Sequence, residues 1–66
     1  MIEKEYTDDI FKAKFATYNR LFNIVELLEP IVGMRGGMYW ICKDRDDKLL
    51  ICEESGLSDF FNIKDN

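Results

Sequence analysis

Met38-Tyr39-Trp40-Ile41-Cys42-Lys43-Asp44-Arg45-Asp46-Asp47-Lys48-Leu49-Leu50-Ile51-Cys52-Glu53 reads as a β-hairpin that is apolar on both faces. Its two arms are rich in aromatic and aliphatic residues that suit a pleated surface. Asp44-Arg45-Asp46-Asp47 separates them without a glycine. Aspartate tolerates the left-handed region better than most residues, so the sequence predicts a type I turn closed by Asp47. A three-residue loop then sets Cys42 opposite Leu50 and Trp40 opposite Cys52. Met38, Trp40, Cys42, Leu50 and Cys52 share one face, and Tyr39, Ile41, Lys43, Leu49, Ile51 and Glu53 share the other. A slip of one residue mixes the sets but leaves both faces apolar near the middle.

Upstream, Ile31-Val32-Gly33-Met34-Arg35-Gly36-Gly37 is a transition. Gly36-Gly37 suits a two-residue turn with positive φ at both positions, which predicts a short strand at 31–35 and a three-stranded meander. With 33–37 as a loop, the sheet starts at Met38 and has two strands. Further upstream, Thr7 is placed to cap a helix, Asp8 and Asp9 suit its first turn, and Tyr6 can staple onto Phe11. Phe11, Phe15, Tyr18, Phe22 and Val25 form one apolar stripe at helical spacing. Ile10, Leu21, Ile24 and Leu28 form a second beside it. Pro30 ends the pattern, so a long helix is predicted over about 7–28. Downstream, 55–63 predicts a turn and then one helical turn capped by Ser58.

These elements define a single small α+β domain over 1–66: one long N-terminal helix packed on a two- or three-stranded antiparallel β-meander, with a short C-terminal helical turn. A chain of 66 residues buries only ~60% of its unfolded surface and leans on large side chains or on association. This one is 47% apolar and 14% aromatic, which is not a disordered composition. Thirteen acids against nine scattered bases give a formal charge of −4, which argues against phosphate neutralisation. Met-Ile-Glu-Lys-Glu-Tyr at the start lacks the apolar run of a signal peptide, and no stretch approaches the ~18 apolar residues of a membrane span. Two cysteines without a disulfide framework then point to a reducing cytoplasm, a host's if the chain is viral.

The motif search favours structure over chemistry. Cys42 and Cys52 are not opposed in either register, which disfavours a disulfide, and two thiols without histidine fall short of a zinc site. Both read as small buried apolar residues. Asp44-x-Asp46-x-Lys48 fails as a calcium loop, with Lys at the fifth position, Leu49 at the sixth and Ser55 at the twelfth. Arg35-Gly36-Gly37 before Met-Tyr-Trp is a weak platform for single-stranded nucleic acid, and reads first as turn chemistry. Ser55 and Ser58 have no histidine to activate them. Glu53 and Glu54 are adjacent on a strand and point to opposite faces, so they cannot share a substrate. No cofactor and no enzymatic activity are expected.

What remains is apolar surface. A helix can cover one hairpin face and leaves the other for a partner. The expected function is a non-enzymatic protein-binding module: a small self-associating inhibitor or adaptor that occludes a surface on a larger protein. In character, such a compact acidic chain resembles the small inhibitors that phages make against host or defence proteins, with no motif behind the likeness. The contact residues predicted are Arg35, Tyr39, Trp40, Ile41, Leu49 and Ile51, with Asp44, Asp46 and Asp47 as a polar rim. The expected partner is a second copy, a larger protein, or both; a membrane is not expected. The alternatives are a nucleic-acid-associated regulator, contacting through Arg35, Lys43, Arg45 and Lys48, and a structural subunit of a larger assembly.

Overall fold

The computed structural model describes residues 2–33 and 36–65. It contains six strands, β1 (Ile2–Tyr6), β2 (Phe15–Tyr18), β3 (Asn23–Val32), β4 (Met38–Lys43), β5 (Leu49–Glu53) and β6 (Leu57–Asp65). Single 3-10 turns lie at Ile10–Lys12 and Glu54–Gly56. All six strands join one antiparallel sheet in the order β1-β6-β2-β3-β4-β5. The chain is therefore all-β, and the α+β architecture expected from the sequence is overturned.

The hairpin over 38–53 forms in the predicted register. Trp40 pairs with Cys52 and Cys42 with Leu50. Its turn is held by Asp44. The Asp44 carbonyl accepts from the Asp47 N–H at 3.1 Å, and the Asp44 N–H donates to the Lys48 carbonyl at 2.9 Å. Asp47 sits at φ 62°, the left-handed position expected of it. β3, β4 and β5 make a three-stranded meander, but its first strand starts at Asn23 and ends at Val32. Of the strand expected at 31–35, Met34 and Arg35 lie outside the described residues.

The predicted helix over 7–28 is replaced by a crossover and a hairpin. Phe15-Ala-Thr-Tyr and Ile24-Val-Glu-Leu also alternate with period two, and their β-branched and aromatic side chains fit a pleated surface. Ala16, Tyr18, Val25 and Leu27 are buried, while Phe15, Thr17, Ile24 and Glu26 turn the other way. The turn between the strands needs positive φ at Phe22 (52°), with no glycine to announce it. The expected caps are reassigned as well. Thr7 Oγ1 accepts from the Asp9 N–H, and Asp9 caps a single 3-10 turn by accepting from the Phe11 N–H at 2.9 Å. Tyr6 packs on Phe61, not on Phe11, and Phe11 packs on Trp40.

Pro30 is a strand residue, paired with Trp40. β2 pairs with β3 only up to Glu26, so Pro30 lies where β3 has a strand neighbour on one side. A residue without an N–H is tolerated there. The helical turn expected after Ser58 is also corrected: 57–65 is β6, inserted between β1 and β2. Asp59, at φ 52°, lies in a register shift in which β6 carries one residue more than β2. A second shift makes Leu28 the extra residue of β3 against β4. Such bulges bend a sheet and strengthen its twist.

The core lies on one face of this sheet. Ala16, Tyr18, Val25, Leu27, Trp40, Cys42, Cys52 and Leu57 pack together, and Ile10 from the crossover drops onto them. The Phe11 ring lies 5.5 Å from Trp40. The crossover is fixed to β6 by Thr7 N–H to the Phe60 carbonyl and Lys14 N–H to the Phe61 carbonyl.

Candidate protein-interaction surface

The opposite face of the sheet has two zones. Over β1, β6 and β2, aromatic side chains cover one another. Phe15 stacks on Phe61 at 5.4 Å, Tyr6 tilts against it at 5.8 Å, and the Lys4 ammonium sits 4.9 Å above the ring. Phe61 is only 3% exposed as a result. Over β3, β4 and β5 there is no such cover among the described residues. Ile41 faces Ile51 and Lys43 faces Leu49 across the hairpin, while Lys43 also faces Glu26. Ile51 is 61% exposed and Leu49 67%. Beyond the Glu26–Lys43 pair, Ile24 adjoins Phe22 and Arg45 at one end of the sheet.

The predicted contact residues are not placed alike. Ile41, Leu49 and Ile51 share the bare zone. Tyr39 is on the same face, half-buried, because its ring lies against Gly33 and Gly37. A methyl group at Gly33 would overlap that ring, so glycine is needed for the close approach. Trp40 is on the core side, 4% exposed, with its indole N–H donating to Glu54 Oε1 at 3.1 Å. It offers no surface to a partner. Arg35 lies outside the described residues. The acids of the rim divide by role: Asp44 Oδ1 accepts the N–H groups of Asp46 and Lys48, Asp47 supplies the left-handed residue, and Asp46 projects from an exposed turn.

Phe22 and Ile24 were hidden from sequence reasoning by their assignment to helix stripes. Phe22 is 88% exposed at the tip of the β2–β3 turn, in a backbone region that aromatic residues seldom occupy. The detectable signal was Asn19 and Asn23 on either side of it, residues favoured in turns.

At the other end of the hairpin, both glutamates are engaged with core aromatics. Glu53 Oε2 accepts from the Tyr18 hydroxyl at 3.0 Å, and its other oxygen lies 3.2 Å from Arg20. Burial, then the hydrogen bond to Glu53, push the Tyr18 phenol above its usual range. Glu53 and Glu54 hold separate partners, Tyr18 and Trp40, with the chain leaving the strand for a 3-10 turn at Glu54. Cys42 and Cys52 are free, buried thiols on the core face. Burial pushes the Cys42 thiol up to about 12, with Cys52 beside it adding to the effect, and burial raises Cys52 too. Thiols held protonated in this way are poor nucleophiles.

No family model matches this chain, and neither the curated proteins nor the solved structures give a significant match. Among the described residues, no helix is long and apolar enough to cross a membrane.

Proposed function

We propose that this chain is a non-enzymatic binding module that occludes a surface on a larger protein, and that it also self-associates. The observation that supports this most is the bare zone over β3, β4 and β5. Leu49 and Ile51 are more than half exposed on strands whose opposite face is packed. Apolar groups gathered on one face mark contact surfaces more often than scattered ones do. The acidic turn borders one end of the strip, and the Lys43–Glu26 pair crosses it between Ile24 and Ile41. In character the reading remains that of a small phage-type inhibitor.

Affinity capture from the native cell, or from its host, tests the proposal with two baits. The wild-type chain is expected to retain a discrete protein that an Ile24→Lys/Leu49→Lys variant loses while keeping its fold. Tight, salt-sensitive binding of DNA or RNA, or retention that ignores the two substitutions, would overturn it.

A further inference from the structure

The sheet has two free edges, β1 and β5, and they differ in kind. β1 reads Ile-Glu-Lys-Glu-Tyr, with three consecutive charged residues that discourage strand addition. β5 reads Leu-Leu-Ile-Cys-Glu, apolar until its last residue. The register fixes which backbone groups this edge presents. Asp44 N–H donates to the Lys48 carbonyl, so that pair is hydrogen-bonded, and in an antiparallel ladder such pairs alternate. The next are Cys42 with Leu50 and Trp40 with Cys52. The N–H and C=O groups of Leu49, Ile51 and Glu53 therefore point away from β4, toward the open edge.

We propose that this edge is a self-recognition site: β5 pairs antiparallel with β5 of a second copy about a twofold axis at Ile51. This names the partner for the self-association proposed above and rests on that reading. Ile51 faces Ile51 of the second copy, and Leu49 faces its Glu53. Every outward backbone group from Leu49 to Glu53 then finds a partner. Leu50 and Cys52 face each other on the core side, so the two cores lie on the same side of one continuous sheet. The charges select this register. Lys48, exposed, comes near Glu54 at the head of the second copy's 3-10 turn, and twofold symmetry repeats the approach. Moving the axis to Leu50 sets Asp47 against Glu53. Moving it to Cys52 sets both Leu50 against Glu54 and Ile51 against Glu53, two acids against apolar groups where the Ile51 axis has only Glu53 so placed.

Sedimentation of the whole chain at micromolar concentration is expected to give the mass of two chains. Ile51→Pro removes an N–H that the monomer does not use, so it should give a folded single chain with association weakened at least tenfold. Ile51→Lys, which sets two ammonium groups at the axis, should do the same and covers the case in which proline unfolds the strand. Under oxidation Ile51→Cys should link two copies through position 51, whereas Leu49→Cys, opposite residue 53, should not. Leu49→Lys lies two residues from the axis and should keep the dimer. A wild-type monomer, a folded dimeric Ile51→Pro, or equal cross-linking at 49 and 51 would overturn the edge pairing. A monomer whose protein capture still depends on Ile24 and Leu49 ends the edge pairing alone. A dimer whose capture ignores them ends the occlusion reading alone.

Discussion

The two faces of the β4–β5 hairpin carry similar side chains and meet opposite fates. Trp40, Cys42 and Cys52 lie at 4%, 0% and 0% exposure, while Leu49 and Ile51 stand at 67% and 61%. Nothing in their hydrophobicity separates the sets. What separates them is the crossover between β1 and β2, which lays Ile10 and Phe11 over one face, while the other has no overlying element among the described residues. Burial in this hairpin is decided by one connection of eight residues, 7–14, and not by its strands themselves.

The sharpest way to break that contrast is at Trp40. Trp40→Ala should cost about 3–5 kcal/mol, comparable with the whole stability of a small domain. Denaturant titration should find the variant largely unfolded, and a cooperative transition near the wild-type midpoint would refute the assignment of this face as core. Alkaline pH probes the same face without mutation. The folded Cys42 thiol lies above its unfolded value of 9.0, at about 12, so its contribution is complete below pH 9. As pH rises from 9 toward 12 the unfolded state releases its proton first, and stability should fall across that window. Chemical denaturation at stepped pH checks this, with Cys42→Ala expected to flatten the slope.

A smaller effect is expected where the core face meets its polar end. Tyr18→Phe removes the hydroxyl donor to Glu53 and should cost about 1 kcal/mol, leaving Glu53 its contact with Arg20. A loss several times larger would mean that the hydrogen bond orders the 3-10 turn as well. Smallest of all should be Leu49→Lys on the bare face, within about 0.5 kcal/mol of wild type by thermal melting. A large loss there would show that the bare face is core after all.

The legible parts of the chain are those whose partners lie close in sequence. Hairpin 38–53 was readable to its register and its turn, because Asp44 and Asp47 act on neighbours two to four residues away. The membership of each face followed from that register, so Ile41, Leu49 and Ile51 could be placed together in advance. Trp40 was also assigned to the core side by alternation, and only its residue type argued for a contact. The N-terminal half was misread because its spacing is ambiguous. Phe11, Phe15, Tyr18 and Phe22 suit a helix, yet Ala16/Tyr18 and Val25/Leu27 suit two strands equally well. The punctuation that would have separated them is missing: Phe22 and Asp59 hold left-handed conformations where glycine is usual.

The sequence by itself determined the alternation, the register and the turn of one hairpin, and with them which side chains travel together. These are fixed by bond geometry and by hydrogen bonds over a few residues. Only the tertiary structure decided that 15–18 and 23–32 are strands, that 57–65 threads between β1 and β2, and that the crossover shields one face alone. The threading of 57–65 rests on partners far apart in sequence, such as Phe15 with Phe61 or Tyr6 with Phe61, and no local preference encodes a neighbour at that distance; 23–32 pairs with the nearer 15–18 and 38–43, and its spacing suits a helix as well as a strand.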